Sequence, residues 1–313
     1  MGETMPEPDR QNPVKGGTLY LVATPLGNVG DMSPRAAEIL NSVDYIAAED
    51  TRRAARLLSS LGIGNRLVSY YEQNKEYRHG MLLGDLRAGR TIALISDAGM
   101  PCISDPGEAL VRLAVRHGIP VSVIPGPSAL LSALAASGLD TARFAYEGFL
   151  PVKGKERRTR LEALALEGRT LVFYEAPHRI RKTLSDLAAA GLEPRRLVIA
   201  RELTKAYEEF IYFTVGEAGP YYETVQPRGE FTLVIEGLDE FRVRTGQKTE
   251  NEWPEEKLKA LLDEALAKGL KTGEAAMEIA IRTGVGRNRL YQLALELDPN
   301  QPKTAQSVKG PDG

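Results

Sequence analysis

The sequence predicts a doubly wound parallel α/β sheet followed by a second α/β unit with a mixed sheet, a ligand cleft between them, and a small helical unit beyond. Three observations carry this. Over residues 18–124, short apolar runs alternate with amphipathic stretches of helical period, the pattern of strands buried on both faces and covered by helices. After Leu150 further apolar runs follow at different spacings, which implies a sheet of another topology. Beyond a polar stretch the period is helical alone over residues 255–296.

Taken in order, the first strands are expected at 19–23, 45–48, 67–69, 91–95 and 121–124, with helices between. Ser33-Pro34 offers an N-cap with Pro at the first helical position. Asp105-Pro106-Gly107-Glu108 reads as a capping box opening another helix. Residues 128–137 are apolar with small side chains and predict a buried helix leading into the second unit. Strands then follow at 170–174, 197–201, 210–215 and 231–235, with a helix near 180–190, and the hairpin-like spacing of the last two strands suggests mixed pairing. A polar linker precedes three short helices broken at Lys271-Thr272-Gly273 and Thr283-Gly284-Val285-Gly286, which form either a helix-turn-helix or a plain three-helix bundle. The expected division is a disordered start 1–16, α/β units 17–127 and 128–240, a linker 241–253, helices 254–297 and a disordered tail 298–313.

Composition narrows the function. With 313 residues the chain can bury several cores, and a formal net charge of -2 confines any polyanion binding to a local patch. Cys102 is the one cysteine and His79, His117 and His178 lie far apart, so neither a disulfide nor a metal site is expected. The polar start has no apolar signal core and no later stretch approaches a membrane span, which predicts a cytoplasmic protein without a membrane partner.

Three turns rich in Gly and Pro each follow an expected strand: Thr24-Pro25-Leu26-Gly27-Asn28, Ser96-Asp97-Ala98-Gly99-Met100-Pro101 and Ile124-Pro125-Gly126-Pro127-Ser128-Ala129. At the carboxyl ends of parallel strands such turns line a ligand crevice. The first turn lacks the Gly-x-Gly-x-x-Gly spacing that admits a pyrophosphate, and the chain has no Gly-Lys-Ser/Thr phosphate loop. The ligand is therefore not expected to be a polyphosphate.

These turns, together with Ala48-Glu49-Asp50-Thr51-Arg52, Ile103-Ser104-Asp105-Pro106-Gly107, Tyr146-Glu147-Gly148-Phe149-Leu150-Pro151 and Phe173-Tyr174-Glu175, resemble the tetrapyrrole methylase superfamily of S-adenosylmethionine-dependent methyltransferases over residues 18–237. The match is strongest to its ribosomal RNA branch, and residues 255–296 resemble that branch's small C-terminal helical domain. The resemblance implies 2'-O-methylation of a cytidine ribose in the decoding region of 16S ribosomal RNA, on naked RNA or an assembled small subunit, by a homodimer. Other superfamily members act on small tetrapyrrole-like substrates. A non-catalytic nucleic-acid-binding protein is the alternative of a different class.

Carried over by position, the cofactor contacts implied are Pro25, Asp97, Met100, Ser128, Ala129, Glu175 and Leu203. A sulfonium with an amino-acid head needs carbonyls and a carboxylate, which suits Asp97; an Asx turn capping the strand end is the alternative for that residue. Glu49, Asp50 and Arg52 follow a buried strand at the active edge of the sheet and are the catalytic candidates; Asp50-Thr51 also reads as a helix N-cap. Glu202 and Lys205 are weaker candidates. The densest basic stretch, with Lys153, Lys155, Arg157, Arg158 and Arg160, suits RNA phosphates, or else is a solvated helix start. Tyr70, Tyr71, Asn74 and Tyr77 are placed either to meet splayed bases or to complete the core.

Overall fold

The structure, a computed structural model, describes residues 14–247 and 253–297. Most of the leading segment 1–16 and the whole tail 298–313 lie outside the described residues.

The first unit runs β1 (Leu19–Val22), α1 (Pro34–Ser42), β2 (Tyr45–Ala48), α2 (Thr51–Ser60), β3 (Leu67–Ser69), α3 (Lys75–Arg87), β4 (Ile92–Ile95), α4 (Glu108–Arg116) and β5 (Val121–Ile124). Its strands form one parallel sheet in the order β3-β2-β4-β1-β5. Every residue of β1, β2 and β4 is buried, because helices cover both faces. Leu82, Leu86 and Leu110 from α3 and α4 close one face, while Ile39, Leu40 and Leu58 from α1 and α2 close the other. Ser33 caps α1 as its sequence implies, its Oγ accepting from the Ala36 amide at 3.1 Å.

The expected cap at Asp105 does not form. The helix begins three residues later at Glu108, with Gly107 at its N-cap and no side-chain bond there. Gly107 has a φ of 139°, and a Cβ on it would stand 2.6 Å from the Cys102 Sγ. Cys102 and Ser104 are themselves left-handed, with φ of 74° and 62°. The loop is wound too tightly for a standard capping box, and this leaves the Asp105 carboxylate for other work.

The second unit continues through α5 (Ala129–Ala136), β6 (Phe144–Phe149), α6 (Gly154–Ala165), β7 (Thr170–Glu175), α7 (Ile180–Leu187), β8 (Arg196–Arg201), β9 (Glu209–Thr214), α8 (Val215–Thr224), β10 (Phe231–Ile235) and α9 (Leu238–Thr245). The sheet order is β6-β7-β10-β8-β9; β6 and β7 are parallel and the other pairs antiparallel, so the sheet is mixed. The hairpin is β8–β9 and not the last two strands. Ten residues of α8 separate β9 from β10, and β10 inserts between β7 and β8 where its five buried residues are flanked on both sides. The strand β6 lies in a segment that reads as an inter-unit motif, since its Glu147-Gly148 pair breaks the apolar alternation.

Helix α5 packs Ala133 and Leu134 against Val172, Val198 and Val234 of the second sheet. It is not wholly buried as its composition predicts: Leu131 is 53 % exposed. Helix α9 extends through Thr245 into the stretch read as a linker, with Glu236 buried between Arg196 at 2.9 Å and Arg244 at 2.7 Å. The last unit consists of α10 (Glu255–Ala267), α11 (Thr272–Thr283) and α12 (Arg287–Leu297), closed around Leu258, Leu262, Ile279 and Leu290. It rests on the second unit: Met277 and Ile281 pack on that core, and a Cβ at Gly191 would meet Ile281 at 2.7 Å.

Candidate active site

The three Gly-Pro turns converge at the carboxyl edge of the parallel sheet. Thr24 and Gly99 exchange backbone hydrogen bonds of 2.9 Å in both directions, and the Thr24 hydroxyl donates to the Ser96 carbonyl at 3.1 Å. Gly126 closes the third turn onto the first, since a Cβ there would fall 2.9 Å from that of Ala23. Small residues are needed because the turns pack backbone to backbone.

Opposite these turns stands the edge of the second sheet, and between them lies a cavity of about 270 Å³. Leu26, Met100, Ile103, Ala129 and Phe149 supply apolar wall, while Asp105, Ser128 and Glu230 supply polar groups. An aromatic ladder stiffens the far side. Tyr174 lies edge-on to Tyr146 at 5.2 Å and to Phe149 at 5.8 Å, and its hydroxyl accepts from the Leu130 amide at 3.1 Å.

Of the residues expected at the cofactor, Met100, Ser128, Ala129 and Glu175 line this cavity. Ser128 also caps α5. The Glu175 carboxylate is buried and fully engaged, accepting from the Thr183 hydroxyl at 2.5 Å and pairing with Arg179 at 3.2 Å. Pro25 and Leu203 are buried outside the lining, Leu203 among Val198, Ala200 and Val234. Asp97 also stands outside it: its carboxylate accepts from the Asp50 amide at 3.2 Å and pairs with Arg53 at 3.1 Å. It thus binds the second turn to the start of α2.

Asp50 and Arg52 point at each other. Asp50 accepts from the Arg52 amide at 2.8 Å, which caps α2, and takes both Nε and Nη2 of its guanidinium. That hydrogen bonding holds the Asp50 carboxyl down at about 2. A carboxylate so stabilised is a weak proton acceptor, and neither residue lines the cavity. Glu49 differs: burial, then the neighbouring Asp97 charge, raises its carboxyl.

Asp105 is the residue whose role the sequence pattern hides, because it reads as a cap. It lines the cavity, and burial, reinforced by the Glu49 charge, lifts its carboxyl to about 6. On the other side Lys205 bridges Glu202 at 2.8 Å and Glu230 at 2.9 Å, and its methylenes lie over Gly27. These ion pairs lie within the second unit, and the Lys205 methylenes over Gly27 carry its contact to the first turn.

The basic stretch divides in two. Lys155 and Arg160 line a second cavity of about 710 Å³ on the outer side of Phe149, whereas Arg158 faces a groove between α6 and the helical unit. Lys153 is exposed at the start of α6. Arg157 is not available to RNA. It is only 4 % exposed, with Nε on Asp186 at 2.7 Å, Nη1 on the Pro151 carbonyl at 2.7 Å and Nη2 on Thr183 at 3.0 Å, because the period of α6 turns this position inward. Tyr70 is likewise core, with its hydroxyl 3.0 Å from the His79 Nε2; Asn74 secures its own turn, and Tyr71 and Tyr77 are exposed.

The donor set suits S-adenosylmethionine. The Ser128 hydroxyl and the Glu230 carboxylate face the cavity for the cationic head, Leu26, Met100 and Ala129 offer surface to the adenine and methionine chain, and the turns form no phosphate cradle. Among the described residues no helix is long and apolar enough to cross a membrane.

Residues 18–219 match the family model of tetrapyrrole (corrin/porphyrin) methylases, and residues 252–298 match that of the RsmI C-terminal HTH domain. The chain is 46 % identical to the ribosomal RNA small subunit methyltransferase I of Synechocystis sp., over 90 % of this chain and 99 % of that one. It is 45 % identical to the protein of the same name from Halalkalibacterium halodurans, over 88 % and 94 %. Its fold is similar to that of uroporphyrin-III C-methyltransferase from Thermus thermophilus complexed with S-adenosyl homocysteine, with a TM-score of 0.52 and 22 % identity over 72 % of this chain and 99 % of that one.

Proposed function

Because the chain belongs to the tetrapyrrole methylase family and groups there with the small-subunit ribosomal RNA methyltransferases, we propose that it methylates a cytidine 2'-oxygen in the decoding region of 16S ribosomal RNA. It is an S-adenosylmethionine-dependent ribosomal RNA methyltransferase; the ribose oxygen, the cytidine and the decoding region are the finer part of the proposal. The reading also includes a cytoplasmic homodimer acting on RNA or on the assembled small subunit.

The observation that carries an oxygen nucleophile is Asp105. A ribose hydroxyl must lose its proton as the methyl is transferred, so a proton acceptor belongs on the wall of the cofactor cavity, with an affinity near the working pH. Asp105 meets both conditions, with its carboxyl at about 6. Bound S-adenosylmethionine supplies an electrophilic methyl on a sulfonium. Asp105 accepts the 2'-hydroxyl proton at a carboxylate oxygen as the new O–C bond forms in line with the breaking C–S bond. Burial first, and then the charge of Glu49, keep that proton affinity high. Asp97, bonded to the Asp50 amide and paired with Arg53, holds the start of α2 against the second turn and so positions Glu49 just before it. The aromatic ladder fixes the opposite wall, and such positioning supplies much of the rate in an in-line displacement.

The test offers purified protein and labelled S-adenosylmethionine to small ribosomal subunits from cells lacking the modification, then maps the methyl by nuclease digestion and mass spectrometry. Label on a cytidine 2'-oxygen is the expected result. Label on a base, or on no RNA despite cofactor binding, overturns the reading.

A further inference from the structure

Phe149 stands between two cavities. It lines the inner cavity with Met100, Asp105 and Tyr174, and it also lines the outer one with Lys155 and Arg160. The residue is 48 % exposed, unusual for a phenylalanine that closes a strand.

A backbone irregularity sets this position. The register of β6 on β7 shifts between Tyr146 and Gly148, so that Tyr146 pairs with Val172, Gly148 with Phe173 and Phe149 with Tyr174. In a regular strand, residues three apart point to opposite faces. The bulged Glu147 adds one residue, which brings Phe149 onto the same face as Tyr146 and Tyr174. Gly148 takes the left-handed conformation this requires, with a φ of 60°. The displaced Glu147 meets Arg160 at 3.0 Å and orients that guanidinium beside the outer cavity. A bulge next to a site commonly re-aims a side chain, and here it turns Phe149 toward the cavity face while Leu150 joins Ala145 in the core of the second unit.

An exposed aromatic ring, braced edge-on at 5.8 Å by Tyr174 and bordered by Lys155, Glu156 and the Arg160–Glu147 pair, offers a stacking face to an unstacked base with cations in reach of its phosphate. We propose that Phe149 is a stacking platform for a base of the RNA substrate as its target ribose enters the inner cavity, with Lys155 and Arg160 neutralising the adjoining phosphates. The inference rests on the RNA reading above and adds a binding subsite to it. A face against which a base stacks is sequence-tolerant, so the platform contributes affinity and placement and the inner cavity selects the nucleotide.

The experiment compares the parent with Phe149→Ala, Phe149→Leu and Phe149→Trp. It measures kcat/KM for unmethylated small ribosomal subunits, the Kd of S-adenosylmethionine by calorimetry, and folding by thermal melting. Loss of a stacked base is worth about 1–3 kcal/mol, so kcat/KM should fall about 5- to 150-fold in Phe149→Ala and Phe149→Leu. Phe149→Trp should restore it, with cofactor affinity within about twofold of the parent throughout. Leu replaces the apolar bulk without the π-face, so a merely structural role predicts that Leu is tolerated, and that result overturns the proposal. So does an unchanged kcat/KM in Phe149→Ala, or a loss confined to cofactor affinity. A parent that transfers no methyl to RNA overturns the functional reading itself, and the platform with it.

Discussion

The hydroxyls of Ser104 and Tyr146 share a hydrogen bond of 2.6 Å, which ties the left-handed loop after β4 to the strand that opens the second sheet. The two residues lie forty-two positions apart, one in a loop of the first unit and the other on β6 of the second, so this bond ties the units together beside the cavity that Ser104 lines. Tyr146→Phe should remove about 0.5–1.5 kcal/mol of stability and lower kcat more than cofactor affinity, because the Asp105 loop loses its anchor. Thermal melts and calorimetry with S-adenosylmethionine check the two effects separately.

Asp105→Asn should lower kcat by roughly 10²- to 10⁴-fold, as loss of a positioned proton acceptor does, while S-adenosylmethionine still binds. In the parent the rate should rise as pH increases through about 6, where Asp105 becomes deprotonated, and then level off. The same group acts on stability with the opposite sign. Its folded carboxyl is raised above 3.8, so its contribution is most favourable at low pH and declines as pH rises from about 4 through about 6. Asp105→Asn should therefore melt higher than the parent at pH 8. A flat pH–rate profile across this range in single-turnover assays counts against the assignment.

Asp50 titrates the other way. Its folded carboxyl lies at about 2, below 3.8, so the stability it contributes is present at neutral pH and is lost as acid approaches pH 2. Asp50→Ala should melt lower than the parent at pH 7, with the difference vanishing near pH 2. Asp50→Ser, which restores a cap acceptor, should recover part of the loss. Circular dichroism melts across pH measure this directly.

Arg157 and Lys155 sit two residues apart on α6 and should behave oppositely. Arg157→Ala leaves the Pro151 carbonyl and the Thr183 hydroxyl without that donor and Asp186 with Lys182 alone, and should cost about 1–3 kcal/mol of stability. Lys155→Ala should leave the melt unchanged and weaken RNA binding, with the slope of log K against log salt reduced by about 0.7 if one phosphate contact to single-stranded RNA is lost. Fluorescence anisotropy at several salt concentrations distinguishes them.

Much of the architecture was legible because its signals are local. The five parallel strands lie within one residue of where their apolar runs place them, since a strand covered on both faces must be apolar throughout. The β8–β9 pairing was not legible: with ten helical residues between β9 and β10, chain proximity misleads, and insertion of β10 into the sheet depends on contacts across the unit. Arg157 was misread for a related reason. Five basic residues within eight look alike in composition, and only the packed face of α6 separates the buried one from the rest.

The sequence by itself determined the family, the order of strands and helices, and the three small-residue turns at the carboxyl edge of the first sheet, because each is a property of neighbouring residues. Tertiary structure alone decided which side chains meet. Asp105 turns into the cavity because strain at Cys102, Ser104 and Gly107 displaces the helix start, and burial beside Glu49 then raises its carboxyl. Asp97 turns away from the cavity because the Asp50 amide and Arg53 engage it. Phe149 faces the cavity because one bulged residue changes the parity of its strand. Burial, charge proximity and strand parity depend on residues distant in the chain, so they exist only once the two sheets have come together.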